Sequence, residues 1–277
     1  MNQGSIVATF LVVFRETLEA SLIVAIILTA LLRLGQKRYF PHVIWSSVIA
    51  IIGSIVTGAI LLSLTDSLQG EIQTIIEGTI SIVASTVLTY MIFWMDRQGR
   101  HIKSELEMRV EEVVTRGELF AILFLPFLAV YREGGETALF LVAVASQNSG
   151  AISFWGGISG FLLAALIAVG IFILGKRIPL RPFFRFTGFF LLLVAAGLLA
   201  YGVHELGEIG WIPSLIEHVW DINHVFNEKE GLGAFAKAIF GYNGNPSLTE
   251  VIVYVTYLVV IPLFLKNKQV QITPARN

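Results

Sequence analysis

The sequence predicts an all-α, polytopic membrane protein with seven transmembrane helices. Of its 277 residues, 55% are hydrophobic and only 14% are charged, and the mean hydropathy is +0.77. Soluble proteins carry roughly 25% charged residues, so this composition indicates a chain that is largely surrounded by lipid. Several apolar runs also reach the about 20 residues that a helix needs to cross a bilayer.

The predicted spans follow these apolar runs, and glycine or proline residues mark most of their ends. They cover about 4–32, 43–64, 72–95, 118–146, 151–175, 183–205 and 248–265. The connection 101–116 has alternating charges and predicts a solvated helix. In the longest connection, 206–247, the stretches 211–222 and 232–240 look amphipathic and are expected to lie on the membrane surface.

The distribution of charge predicts the orientation. Lys and Arg are concentrated in the first, third and fifth connections and in the C-terminal tail. The positive-inside rule makes these segments cytoplasmic, which places the N-terminus outside and the C-terminus inside. The outer connections hold only Lys229 and Lys237 as basic residues, against the acids Asp66, Glu71, Glu205, Glu208, Glu217, Asp221, Glu228, Glu230 and Glu250. An acidic outer face concentrates cations and repels anions.

Other features exclude several classes of protein. The chain contains no cysteine, which excludes disulfides, thiolate metal sites and thiol redox chemistry. Residues 1–34 do not read as a cleavable signal peptide, because the apolar run is too long, lacks a basic leader and contains charges. The stretch 170–176 resembles a phosphate-binding loop, but Arg177 stands where Ser or Thr is required, so an ATPase is not indicated.

Two motifs of the form R-E-x-x-E interrupt the first and fourth spans, at F-R-E-T-L-E-A (14–20) and Y-R-E-G-G-E-T-A (131–138). Their charged residues are Arg15, Glu16 and Glu19 in the first motif and Arg132, Glu133 and Glu136 in the second. Helical spacing places the three side chains of each motif on one face. At about 1.5 Å per residue, both motifs fall near the middle of the membrane, where each charge costs roughly 2.5–3.5 kcal/mol.

The two motifs lie on oppositely directed spans that are three spans apart, which is the pattern of an inverted-topology repeat. We therefore interpret 1–277 as one transmembrane domain with an inverted 3+3 repeat and one additional helix. Repeat 1 covers about 4–95, repeat 2 about 118–205, the outer loop about 206–247 and the seventh helix about 248–265. Outside the motifs the internal similarity is weak.

Four glutamates against two arginines leave a surplus of negative charge, which predicts a site for a small, highly charged cation. Carboxylate oxygens suit hard ions such as Mg²⁺, Ca²⁺, Mn²⁺ and iron. The candidate metal ligands are Glu16, Glu19, Glu133 and Glu136. Arg15 and Arg132 are candidate supporting charges that keep the carboxylates ionised and oriented. The structural alternative is that each motif forms ion pairs that only hold helices together. Such ion pairs are expected to balance their charge, which these motifs do not.

Further residues on the outer side are candidates for an entrance or capture site. They are Glu77, Glu71 and Asp66 next to the third span, and His204, Glu205 and Glu208 at the end of the sixth. Glu77 could join the buried carboxylates or mark the entrance. The alternative for Glu77 is snorkelling to the membrane interface, and the alternative for the sixth-span cluster is ordinary solvation at a helix end.

At the two R-E-x-x-E motifs the sequence resembles the high-affinity iron permease family, which includes fungal permeases and bacterial EfeU-type permeases. The similarity extends to E-G-T-I-S-I-V-A-S, L-L-A-Y-G-V-H-E-L-G-E and F-G-Y-N-G-N-P-S-L-T-E. The resemblance implies a multi-pass iron transporter of the plasma membrane, and not an enzyme, in which Glu16, Glu19, Glu133 and Glu136 handle the ion. It also implies a partner, expected as a separate extracytoplasmic ferroxidase, peroxidase or iron-binding protein.

The sequence leaves the identity of the ion open between Fe³⁺ and Fe²⁺, with Mn²⁺ or Pb²⁺ as alternatives. No permanently bound cofactor and no nucleic-acid partner are expected. An intramembrane lipid-diphosphate phosphatase also combines inverted repeats with buried Glu and Arg. It needs a stretch of the P-G-x-S-R-S kind in addition, and the chain contains none.

Overall fold

The structure, a computed structural model, describes residues 3–98, 102–147, 153–174, 180–228 and 231–271. Within these residues the chain forms nine α-helices and no strand. The helices are α1 (Gln3–Arg33), α2 (Phe40–Asp66), α3 (Glu71–Gln98), α4 (Ile102–Arg116), α5 (Leu119–Gln147), α6 (Phe154–Leu174), α7 (Leu180–Glu208), α8 (Gly231–Phe240) and α9 (Leu248–Gln271). A short 3₁₀-helix, Lys37–Tyr39, joins α1 to α2.

Seven helices match the predicted spans to within a few residues at their ends. The predicted helix in the third connection is α4, and its Val110 is buried in a cluster with Ile27 and Leu31 of α1. Gly35, which follows α1, has a φ of 71°. This left-handed conformation is readily adopted by glycine and commonly ends a helix.

The stretch 211–222, which looks amphipathic in the sequence, does not form a helix. These residues form bends and irregular backbone, and most of them are exposed on the surface. Their backbone groups pair with the segment before α9 and not with one another, since Val219 N donates to Pro246 O and Ile222 N donates to Gly244 O, both at 3.0 Å. The second predicted amphipathic stretch, 232–240, is helical and forms most of α8.

Four helical stretches among the described residues are long and apolar enough to cross a membrane. They are Lys37–Thr65, Glu71–Trp94, Thr187–Glu208 and Leu248–Lys266, and a shorter apolar run covers Phe154–Gly170. The helices α1 and α5 carry the R-E-x-x-E motifs in their middle and are less apolar there. These apolar helices indicate an integral membrane protein, whereas the count of seven spans and their orientation stay predictions.

The helices that carry the motifs are held by helices from the other half of the chain. α1 packs against α6, and α2 packs against α5. α3 and α7 pack against each other, and α7 also contacts α9. α8, from the long connection before α9, packs against both α1 and α7. The two halves are therefore interlocked and do not form separate layers.

Glycine residues allow α6 to lie directly against the backbone of α1. A Cβ atom at Gly160 would lie 2.7 Å from Phe10 O and 3.0 Å from Phe14 N, and one at Gly156 would meet the backbone of Ile6. Small residues four apart permit this close helix crossing. The G-x-x-x-G sequence at 156–160 is therefore a helix-packing motif.

α1 and α5 run antiparallel. Ala8, near the start of α1, packs against Val144, near the end of α5. At the other end, Ile27 of α1 shares an apolar cluster with Ile122 of α5. This arrangement brings the two R-E-x-x-E motifs, each near the middle of its helix, to the same level of the molecule.

Candidate metal site

The two motifs face each other where α1 contacts α5. One carboxylate oxygen from each of Glu16, Glu19 and Glu133 lies within 4.8 Å of the others. All three residues are buried. Glu136 lies one turn after Glu133, and 19% of its side chain is exposed. The structure thus brings three of the predicted ligands into one buried cluster and places the fourth at its more accessible edge.

Each arginine contacts both glutamates of its own motif. Arg15 forms ion pairs with Glu16 and, at 2.8 Å, with Glu19. Arg132 lies 2.7 Å from Glu133 and 3.5 Å from Glu136. The pairs four residues apart follow from helical spacing, whereas adjacent residues do not face each other on a helix. The adjacent pairs form because the long guanidinium side chain reaches around to its neighbour.

The two arginines occupy different environments, which the sequence did not predict. The side chain of Arg15 is only 2% exposed, and its Nη1 atom lies 3.3 Å from Met91 Sδ of α3. The side chain of Arg132 is 51% exposed, and its Cζ atom lies 5.1 Å from the centre of the Trp94 ring. This is the distance range of a cation–π interaction. Neither Met91 nor Trp94 is charged, so sequence patterns gave no reason to select them.

Four buried carboxylate oxygens of the two motifs accept no hydrogen bond from any residue that the structure describes. They are the Oε2 atoms of Glu16, Glu133 and Glu136, and Oε1 of Glu19, which lies in the ion pair with Arg15. A buried polar atom without a partner is costly, and more so when its group is charged. Hard oxygen donors that converge in this way are the ligand set of ions such as iron, Mn²⁺ or Ca²⁺. The cluster is therefore chemically suited to a cation.

The crossing of α2 over α5 lies beside the second motif. A Cβ atom at Gly134 would meet the side chain of Ser54 of α2, whereas one at Gly135 would meet nothing within 4 Å. Of the two glycines in R-E-G-G-E, Gly134 is therefore the one that permits a close approach. The helix itself continues without a break from Leu119 to Gln147.

Glu77 does not join the buried carboxylates. It accepts a hydrogen bond from Gln73 at 2.7 Å, and the hydroxyl of Tyr201 lies 3.2 Å from its Oε2 atom. Met91, which contacts Arg15, lies about 21 Å further along α3 by helical rise. Tyr201 also lies 3.0 Å from the carbonyl oxygen of Ser146. It therefore links α3, α5 and α7 at the level of Glu77.

A cavity of about 720 Å³ opens near the ends of α5 and α7. The predicted capture residues His204, Glu205 and Glu208 line this cavity, and so does Tyr201. The segment before α9 adds further polar groups, among them Glu217, His218, Glu228, Lys237 and Asn243. Glu71 is exposed but does not line it, and the side chain of Asp66 lies outside the described residues.

Glu250 is a buried acid that the sequence identified only as part of the acidic outer face. Its Oε1 atom accepts a hydrogen bond from Ser247 N at 2.9 Å and lies 2.8 Å from His204 Nδ1. Its Oε2 atom accepts a hydrogen bond from Asn243 at 2.8 Å. The other ring nitrogen of His204 lies 3.4 Å from Glu208. His204 is thus fixed between two acids and is not simply solvated.

Replacing Glu250 by Gln is expected to destabilise the protein. One carboxylate oxygen becomes an NH₂ group, which cannot accept the hydrogen bond that this oxygen now receives. Hydrogen bonds to charged groups contribute about 1.5–3 kcal/mol each, so a loss of this size is expected. Thermal unfolding in detergent measures it as a lower midpoint. The same change at the exposed, cavity-lining Glu217 is the control, and equal midpoints for the two variants would contradict the prediction.

Comparisons with known proteins identify the relatives of the chain. The model of the iron permease FTR1 family matches residues 6–270. The chain is 34% identical over 252 residues to the ferrous iron permease EfeU of Yersinia pestis, covering 90% of this chain and 89% of the relative. It is 33% identical over 259 residues to the protein of the same name from Escherichia coli O6:H1, covering 90% and 91%. No solved structure matches the chain. The chain belongs to the iron permease FTR1 family.

Proposed function

We propose that this iron permease carries iron across the plasma membrane through a site formed by Glu16, Glu19, Glu133 and Glu136. The observation that supports the site is the convergence of buried carboxylate oxygens within 4.8 Å from two helices. The buried Oε2 atoms of Glu16, Glu133 and Glu136 lack a hydrogen-bond partner among the described residues. If the motifs only held the helices together, these oxygens would be expected to form ion pairs. A cation of the size of iron uses them as ligands.

The proposed role of the arginines is to compensate the carboxylates between transport events. Arg132 is the exchangeable positive charge, because half of its side chain is exposed and the ring of Trp94 lies beside it. As iron approaches Glu133 and Glu136, Arg132 turns away towards Trp94. Arg15 stays in place because it is buried against Met91. The positive charge of the incoming ion thus replaces that of Arg132, so the buried carboxylates always have a positive charge beside them.

The proposed topology has seven spans, which are α1–α3, α5–α7 and α9, in a multi-pass protein of the plasma membrane. The N-terminus lies outside and the C-terminus inside. The contacts support an inverted 3+3 repeat, because the first helix of each half packs against the second helix of the other half. The third helices of the halves, α3 and α7, pack against each other. Exchange of the halves therefore leaves this pattern of contacts unchanged.

We propose that iron enters through the cavity and is captured there by His204, Glu205 and Glu208. Glu77 lies at the level of the cavity next to Tyr201. Glu71 and Asp66 add to the negative charge of the outer face, which attracts cations. The partner is a separate extracytoplasmic ferroxidase, peroxidase or iron-binding protein that delivers iron to this face. No resident cofactor and no enzymatic activity of the permease itself are proposed.

The proposed ion is Fe²⁺, because the relatives are named ferrous iron permeases. Carboxylate ligands accept Fe³⁺ and Mn²⁺ as well. Competition of ⁵⁵Fe²⁺ uptake by an excess of Fe³⁺, Mn²⁺ or Pb²⁺ in proteoliposomes distinguishes these ions. The ion that the site prefers reduces uptake at the lowest concentration.

Single Glu→Gln changes at Glu16, Glu19, Glu133 and Glu136 test the site by ⁵⁵Fe uptake. Each change removes a negative charge and a hard oxygen donor without changing the size of the side chain. Changes around metal sites reduce affinity or activity by about 10–100-fold, and a loss of at least this order is expected here. The control is Glu112→Gln on α4, whose side chain is 57% exposed and pairs with Arg116. Uptake at the level of the unmodified protein in all four variants would refute the site.

A further inference from the structure

The outer cavity and the four carboxylates lie at different levels of the helix bundle. Ser146 of α5 lines the cavity, and Glu136 of the same helix lies about 15 Å away by helical rise. On α3, Glu77 lies at the level of Tyr201, which lines the cavity, and Met91 lies at the level of Arg15. An ion that enters the cavity therefore has to cross a further part of the bundle.

Five apolar side chains pack together in this part of the bundle, beside the buried Ser81 and Ser85 of α3. We call the five the Phe140 layer, which consists of Val12, Ala84, Leu88, Phe140 and Ala143. They belong to α1, α3 and α5, and α7 closes the layer with residues such as Leu191 and Ala195. Each of the five side chains that define the layer is at most 3% exposed. On α3 the layer lies between Glu77 and Met91, and on α5 it lies between Ser146 and Glu136. On α1, Val12 lies just before the first motif.

The accessible edge of the carboxylate cluster lies on the opposite side of the Phe140 layer. Arg132 is 51% exposed and Glu136 is 19% exposed. Both precede Phe140 on α5, whereas Ser146 follows it. Trp94, which Arg132 contacts, lies beyond Met91 on α3 and so also on the side away from the cavity. The more exposed residues of the two motifs thus lie on the side of the Phe140 layer that faces away from the cavity.

We propose that the Phe140 layer is the outer gate of the iron pathway and that the structure shows this gate closed. A hydrophobic constriction blocks ions because water leaves it. An apolar cluster is an ordinary means of packing helices, but this one separates an acidic cavity from a charged site. In transporters with inverted repeats, a site in the middle of the membrane opens to one side at a time. The gate rests on the proposed function, since it controls access of the ion to those four glutamates.

The absence of cysteine from the chain allows a direct test by labelling. Glu136→Cys reports on the carboxylate level and Ser146→Cys on the cavity. A charged, membrane-impermeant methanethiosulfonate reagent is applied to proteoliposomes from one side at a time. We expect Ser146→Cys to react from the cavity side, and Glu136→Cys to react from the opposite side only. Adding Phe140→Ala is expected to raise the reaction of Glu136→Cys from the cavity side about tenfold or more, because the constriction is then wide enough for water.

Two further variants make the test independent of folding defects. Phe140→Leu removes less volume and is expected to give an intermediate rate. Phe189→Ala removes an equally large ring from an exposed position on α7 and is expected to leave all rates unchanged. Normal labelling of Ser146→Cys in each background shows that the bundle is intact. Equal rates of Glu136→Cys labelling from the cavity side with and without Phe140, in such intact protein, would overturn the proposal.

The labelling result is separate from the identity of the ion. If iron uptake is insensitive to the four Glu→Gln changes but labelling depends on Phe140, the Phe140 layer closes the bundle towards the cavity, and the proposed metal site is wrong. If uptake depends on the glutamates but labelling does not depend on Phe140, the site stands and the gate is wrong.

Discussion

Replacing Arg15 by Gln is expected to prevent the protein from folding in good yield and to abolish iron uptake. Arg15 is 2% exposed and pairs with both Glu16 and Glu19. Its removal leaves buried carboxylates that no longer have their positive partner. Removing one partner of a buried ion pair costs about 3–5 kcal/mol, which is a large fraction of the about 5–15 kcal/mol by which proteins are stable.

The matched control is Arg132→Gln. Because half of the Arg132 side chain is exposed, its loss is expected to cost less stability and to leave folded protein that transports iron poorly. Thermal unfolding and size-exclusion profiles in detergent measure the first effect, and ⁵⁵Fe uptake measures the second. Arg15→Gln combined with Glu16→Gln is expected to regain part of the lost stability, since residues in contact are energetically coupled. Equal stability of the two single variants would contradict the difference in their environments.

Replacing Gly160 by Leu is expected to impair folding about as strongly as Arg15→Gln, but because of a steric clash. A side chain at this position would enter the backbone of α1, with its Cβ atom 2.7 Å from Phe10 O. Overpacking typically costs about 1–3 kcal/mol where side chains can move aside, and backbone atoms of a helix cannot. The crossing of α6 over α1 would open, and α1 carries the first R-E-x-x-E motif. We therefore expect aggregated protein and no uptake.

Gly170→Leu on the same helix is the control for this change. A Cβ atom at Gly170 would meet nothing within 4 Å, so the same increase in size is expected to leave the fold intact. Size-exclusion profiles and thermal midpoints of the two variants in detergent compare them directly. A Gly160→Leu protein that is as monodisperse as Gly170→Leu would show that the close crossing is not required.

The elements of the fold that the sequence predicts well are those fixed by local patterns. Apolar runs and their glycine or proline ends locate the helices, because a run of this composition has no other way to satisfy its backbone in lipid. The irregular backbone of residues 211–222 could not be predicted, because its partners Pro246 and Gly244 are distant in sequence. Alternation of apolar and polar residues does not reveal such pairing.

In the candidate site, too, some residues could be predicted from local sequence patterns and others could not. The charged residues of the two motifs stand out in an apolar chain, and the spacing of three and four residues places them on one face. The neighbours that distinguish Arg15 from Arg132 do not stand out, because Met91 and Trp94 are ordinary residues of an apolar helix. Tyr201 and Phe140 were missed for the same reason. Their position depends on how α3, α5 and α7 pack, which is set by the whole bundle.

α1 packs against α6, and α2 packs against α5. The first half of the chain therefore cannot complete its packing while the second half is still being synthesised. The second motif follows the first by 117 residues, from position 15 to position 132. At ordinary rates of translation this interval lasts roughly 6–23 s. During that time Arg15, Glu16 and Glu19 have neither α5 nor α6 beside them. In the proposed topology, the new helix α1 therefore needs shelter from lipid until the second half arrives.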